Sequence, residues 1–174
     1  MRMQVETSTE VAVRQVRDND SADLIELIGG CYAEYPGCYL DVREELWLLE
    51  PATAYSRWRG RLWVGERDGK VVASGGLRPS GPGMAGVHNL YVAGSQRRRG
   101  LATRLLELIE AEARARGACW THLWSDTRFA QAHQLYERLG YVRSGGFRER
   151  QDLSRSMEYH FVKLLATPPG RRAI

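Results

Sequence analysis

Long apolar runs are missing from this 174-residue chain, and no stretch approaches the ~18 apolar residues of a membrane span. The first ten residues, MRMQVETSTE, lack the apolar core that a secretion signal needs. Cysteine is scarce: Cys31, Cys38 and Cys119 are odd in number and have no CxxC spacing. With four histidines (His88, His122, His133 and His160) no metal-site pattern arises, so no metal is expected. Reduced thiols and a cytoplasmic location are expected instead. A strong excess of one charge is also missing. The 25 basic and 21 acidic residues leave +4, too little to argue for nucleic acid. Nor do aromatics interleave with basic residues as stacking platforms would. The apolar share of 43% and charged share of 26% fit a globular domain with a real core. We expect a flexible N-terminus at 1–10, one domain at 11–165 and a flexible tail at 166–174.

The element signals are uneven. VAVRQV at 11–16 alternates as a strand. A helix follows, capped by Asp20 or Ser21, with Leu24, Ile25, Leu27 and Ile28 on its apolar face and its end before Pro36. VREELWLLE at 42–50 reads as a second short helix stopped by Pro51, with Leu46 and Leu49 inward and Glu44, Glu45 and Glu50 solvated. Two β-rich runs flank Asp68-Gly69, the pair that a type I′ hairpin turn wants. SGPGMAG at 80–86 reads as a flexible loop before a strand at 87–93. A helix over about 100–116 puts Ala102, Leu105, Leu106, Ile109 and Ala113 on one face, stops at Gly117 and exposes the pairs Glu110–Arg114 and Glu112–Arg116. A strand at 119–124, a helix at 128–140, a strand loosening at Gly145-Gly146 and a last strand at 156–165 complete the order β-α-α-β-β-β-α-β-α-β-β.

One short stretch carries chemistry. SQRRRGLATRLL, residues 95–106, lies between a strand and a helix. Amides of a helix's first turn have no intrahelical partner, and the helix dipole is positive there. An anion at that place meets several donors at once. Gly100 and Ala102 let the backbone come close, and Arg97, Arg98 and Arg99 add forked cations suited to phosphate.

The spacing Arg97-x-x-Gly100-x-Ala102 resembles the pyrophosphate loop of the GNAT superfamily of acyl-CoA-dependent N-acyltransferases. About 40 residues on, AHQLYERLGYV at 132–142 is similar to that family's second signature. The resemblance runs over about residues 11–165. It implies an α/β (α+β) fold: a mixed, largely antiparallel sheet of about seven strands with helices on both faces. It also implies acetyl-CoA as cosubstrate and acetyl transfer to a primary amine of a small molecule or peptide, by direct attack in a ternary complex. No nucleic-acid or membrane partner is expected, and the chain is expected as monomer or homodimer.

Carried over position by position, the resemblance assigns the pantetheine arm to Leu90, Tyr91 and Val92. The pyrophosphate falls to Arg97, Arg98, Arg99, Gly100, Leu101, Ala102 and Thr103. Tyr136 matches the tyrosine that often protonates the departing thiolate, although its place in the stripe Ala132, Leu135, Tyr136, Leu139 also fits plain core. Two positions depart from the family. Gly86 stands where several members carry a strand glutamate, and Phe129 stands where many carry an asparagine. His88, two residues on and on the same strand face, can take a proton near neutral pH. Glu34, Asp41 and Asp126 are further candidates for the base and the acceptor site, and Tyr35, Tyr39 and Trp47 for apolar walls. Arg78 could recognise a carboxylate. The missing glutamate also leaves open a non-catalytic CoA-binding or sensing protein.

Overall fold

The computed structural model describes residues 10–165. The expected flexible tail at 166–174 and all but the last residue of the expected flexible N-terminus lie outside that range. Seven strands form one sheet: β1 (Ala12–Gln15), β2 (Arg61–Arg67), β3 (Lys70–Gly81), β4 (Met84–Val92), β5 (Trp120–Asp126), β6 (Val142–Glu149) and β7 (Met157–Leu164). Their spatial order is β1-β2-β3-β4-β5-β7-β6, and β4–β5 is its parallel pair. Four helices accompany it: α1 (Ser21–Ala33), α2 (Pro51–Arg57), α3 (Leu101–Ala115) and α4 (Ala130–Arg138).

The helices divide between the two faces because strand side chains alternate. Leu62 and Val64 of β2 pack with Leu24 and Leu27 of α1 and Tyr55 of α2. Trp63 between them faces the other way, into the cluster of Leu105, Leu106 and Ile109 of α3 and Tyr136 of α4. Each fully buried leucine or isoleucine there contributes about 1.5–3 kcal/mol. Asp68 and Gly69 both take positive φ, 51° and 77°, as a type I′ turn requires. On α3 the expected apolar face is inward, but Glu110 joins it: buried, it accepts Lys163 Nζ at 2.8 Å, and Arg114 lies 3.5 Å away.

Three sequence expectations change. The second helix is not at 42–50. Residues 46–49 form one 3-10 turn, and α2 begins at Pro51. Proline lacks an N–H and has a helical φ, so it suits the first helical position and here opens the helix instead of closing one. In a three-residue period Leu46 and Leu49 share a side, and that side is 64% and 53% exposed; Leu48 is the buried one. The expected loop at 80–86 is mostly strand, because β3 and β4 continue to a tight turn at residues 82–83. The Gly145-Gly146 pair shifts the β6–β7 register between Arg143 and Phe147 but does not end the strand.

The feature that shapes the site lies in β4. It pairs with β5 at Met84, Ala85 and Gly86, and the described pairing stops there, while β4 continues along β3 to Val92. A register shift opposite Gly75 places two β4 residues, Asn89 and Leu90, against one on β3. Asn89 sits at φ 54°. Asparagine tolerates that left-handed conformation better than most residues. Its carbonyl accepts Ser74 Oγ at 2.7 Å, and its amide donates to Tyr55 OH at 2.7 Å. Such a bulge bends a strand and increases its twist, which carries β4 away from β5.

Asn89→Gly keeps the conformation and loses the Tyr55 bond, whereas Asn89→Ala loses both. Urea denaturation is expected to give about 1 kcal/mol lower stability for the glycine variant and about 2–3 kcal/mol for alanine.

Candidate active site

The opening between β4 and β5 joins two cavities. One, of about 650 Å³, runs from Leu90, Tyr91 and Val92 to Arg97, Arg98, Gly100, Leu101, Ala102 and Thr103, with Tyr136 on its far wall. The other, of about 830 Å³, lies on the α1–α2 side and is lined by His88, Arg78, Asp126, Trp47, Trp58 and Trp124, among others. Leu90, Tyr91, Phe129 and Tyr136 line both, so the cavities meet at these residues.

The first cavity is built to receive an anion at one end. Gly100 takes φ 74° at the head of α3, and the first helical hydrogen bond runs from Arg104 N to Gly100 O. The amides of Leu101, Ala102 and Thr103 therefore point outward without a helical partner. The three arginines divide. Arg97 turns its guanidinium inward: Nη1 and Nη2 donate to Glu34 at 2.5 and 2.8 Å, and Nε donates to Val92 O at 2.9 Å. It ties α1 to the end of β4, so its charge is paired although the residue lines the cleft. Arg98, at φ 61°, lines the cleft, and exposed Arg99 does not.

These contacts relocate several expected acceptor residues. Glu34 does not line the acceptor-side cavity, because Arg97 holds its carboxylate. Asp41 does not line it either; Arg43 takes both its oxygens at 2.7–3.1 Å. Tyr35 packs on Phe129 beside the other cavity, and Tyr39 is 58% exposed. Asp126 lines the cavity but is bound by Arg128. Burial opposes its charge, and the Arg128 side chain and amide outweigh this and lower its pKa. Asp126 is thus held as an anion with both oxygens committed to Arg128.

Arg78 differs. It lines the cavity with its guanidinium 3.9 Å from the centre of the Trp58 ring, and no carboxylate among the described residues pairs with it. Arg148 also lies over an indole, Trp124 at 4.3 Å, but its Nε is bonded to Glu158. Sequence reasoning missed Trp58, Trp124 and Arg148. They come from three separate elements, and no local spacing links them.

His88 is half-buried in this cavity, and burial first, then the charges of Arg78 and His122, push its pKa down to about 4. A Cβ on residue 86 would come within 2.6 Å of His88 Nε2 and 2.9 Å of Ser80 Oγ. The imidazole occupies the space that a side chain at 86 would need. Tyr136 is buried, and burial pushes its phenol up to about 12 although Ser125 acts against this, so it keeps its proton at neutral pH. Among the described residues no group of three or more His, Cys, Asp or Glu is arranged to hold a metal, and no helix is long and apolar enough to cross a membrane.

The sequence matches the acetyltransferase (GNAT) family over residues 23–141. No curated protein sequence matches it. Among solved structures, a GNAT-family acetyltransferase from Staphylococcus aureus Mu50 superposes with a TM-score of 0.77 at 15% identity, over 90% of this chain and 100% of that one. The PaiA N-acetyltransferase of Thermoplasma acidophilum, in complex with coenzyme A, gives 0.69 at 14% identity, over 90% and 100%. YncA from Salmonella typhimurium, with its cofactor acetyl-CoA, gives 0.68 at 16% identity, over 95% and 100%. An open β4–β5 seam with a glycine-led helix at its mouth defines the class, an acyl-CoA-dependent N-acyltransferase fold. The chain belongs to the GNAT acetyltransferase family and is an enzyme of that family.

The imidazoles give the fold a pH signature. His122, His133 and His160, like His88, are pushed down by burial. Each binds a proton more readily in the unfolded chain, near the ordinary value of 6.5, so acid favours unfolding. Stability should hold above that value and fall as the pH drops toward 4, the folded value of His88. The lowered carboxyls of Asp20 and Asp126 act below the ordinary 3.8, outside this window. Urea midpoints at about pH 7.5 and about pH 4.5 should therefore differ less for His88→Gln than for the parent.

Proposed function

We propose that this chain transfers the acetyl group of acetyl-CoA to the amine of a small acceptor that also carries a carboxylate, such as an amino acid with an apolar side chain. One observation carries the reading: two cavities of different character meet at Tyr136. The residues fit the cosubstrate. The free amides at the head of α3 and the Arg98 side chain suit the pyrophosphate, and the unpaired edge of β4 suits the pantetheine amides. Acetyl-CoA supplies an activated carbonyl and a thiolate leaving group.

The residues at the junction do the rest. Tyr136, neutral and desolvated, donates its proton as negative charge develops on sulfur. His88 stands in the acceptor cavity as a neutral imidazole able to accept the proton that the ammonium must lose. It answers the absence of a glutamate at residue 86, the feature that had pointed to a sensor. Phe129 gives the junction an apolar wall, packing on Tyr32 and Tyr35 where a family asparagine would make a polar contact.

Arg78 selects the acceptor. An Arg stacked on Trp58 with no carboxylate partner among the described residues offers its fork to an anionic ligand, and the indoles of Trp47, Trp58 and Trp124 give the acceptor apolar walls. The same contact tunes the base. Burial first and then the Arg78 charge lower the His88 pKa, and a carboxylate bound at Arg78 would offset the second of these.

Thiol release measured with L-amino acids and with their decarboxylated amines tests the acceptor. Amino acids with apolar side chains should react faster than the matching amines. Arg78→Met should raise KM for the amino acid about 10- to 100-fold and leave the amines nearly unchanged. Equal rates within each pair would remove the carboxylate from the reading.

Tyr136→Phe should lower kcat about 100-fold while acetyl-CoA affinity stays within about twofold. An unimpaired kcat would remove Tyr136 as the acid.

A further inference from the structure

One aromatic ring at the junction serves neither half of the core. Phe129 is half-buried, belongs to neither hydrophobic cluster and lines both cavities. Its ring centre lies 4.8 Å from that of Tyr35 and 6.0 Å from that of Tyr32. Tyr32 in turn meets Tyr91 of β4 edge to face at 5.9 Å, and their hydroxyls are 3.1 Å apart. The backbone is held as well. Phe129 N donates to Asp126 O at 3.0 Å, and Phe129 O accepts His133 N at 3.1 Å at the start of α4. Backbone and side-chain contacts together hold the ring in place.

The thioester has to sit where the two cavities meet, a placement that rests on the reading of those cavities as coenzyme and acceptor sites. The acyl group then lies among the residues common to both, Leu90, Tyr91, Phe129 and Tyr136. Leu90 and Tyr91 present the β4 backbone to the pantetheine arm, and Tyr136 faces the sulfur. Phe129 is the one of the four with no such task. An asparagine at this position is smaller and offers a polar contact, whereas the phenyl ring takes up more of the junction and offers none.

We propose that Phe129 is the acyl-chain gauge of this enzyme and limits the transferred group to acetyl. An acetyl group ends at its methyl. A butyryl chain carries two more methylenes, which either press on the phenyl ring or turn into the acceptor cavity. The ring can retreat only by giving up its packing on Tyr32 and Tyr35. A chain that turns into the acceptor cavity takes the place of the amine. Packed side chains resist added methylenes, and a clash with the larger competitor is one of the two ways in which a site discriminates.

The test uses the full chain, the amine that reacts fastest with the parent enzyme, and acetyl-CoA or butyryl-CoA as donor. The parent kcat/KM should favour acetyl-CoA about 100-fold. Phe129→Ala should raise kcat/KM for butyryl-CoA about 10-fold and lower it for acetyl-CoA about threefold. A ring with only a structural role would lose rate with both donors, so the gain with butyryl-CoA is the telling readout. Phe129→Leu removes less of the ring and should move butyryl-CoA the same way by about threefold, and it replaces the alanine variant should that fail to fold. A parent that uses butyryl-CoA as well as acetyl-CoA, or a variant that keeps the parent's ratio, overturns the gauge while the acceptor reading stands. A fastest amine without a carboxylate overturns the acceptor reading and leaves the gauge to be decided by the same ratio. A parent enzyme that acetylates no amine overturns both.

Discussion

Strands β4 and β5 run parallel and pair at three positions, Met84 to Gly86, and then separate while each keeps its partner on the other side, β3 and β7. The opening needs backbone groups that remain unpaired in the middle of a sheet. Isolated, they would destabilise the fold; beside a ligand with amides of its own they become a binding surface. The bulge at Asn89 makes the separation, and the bonds from Ser74 and to Tyr55 hold it. The helix head at Gly100, Tyr136 and the cavity on the α1–α2 side all border this gap.

Charge in the molecule is mostly internally balanced, and the exceptions mark the chemistry. Glu34, Asp41 and Asp126 are held by Arg97, Arg43 and Arg128, and Glu158 by Arg148. Such pairs fix geometry and leave little free charge to recognise a ligand. Arg78 lacks a carboxylate partner among the described residues and His122 lacks a partner for one nitrogen, and both lie on the His88 side of the sheet. Of the two, Arg78 lines the cavity on the α1–α2 side.

Legibility in the sequence followed the range of the interaction. The hairpin at Asp68-Gly69, the apolar face of α3 and the helix stop at Gly117 depend on neighbours a few residues away, and they stand where the sequence puts them. The second helix was misplaced because Pro51 reads equally as a stop and as a start. Only the burial of Leu48 and Tyr55 against α1 and β2 settles which. The Arg97–Glu34 pair spans 63 residues, and no local pattern could show that this arginine's charge is paired to α1.

The sequence by itself determined the family, the element order and the left-handed turn at Gly100 that opens α3, which glycine adopts without strain. Tertiary structure alone decided which cleft arginine is paired with a carboxylate, which acids are neutralised, and that His88, His122 and His160 stand on one face of the sheet. These depend on contacts between strands far apart in the chain, where strand register and the twist of the sheet, not spacing along the chain, determine what touches what.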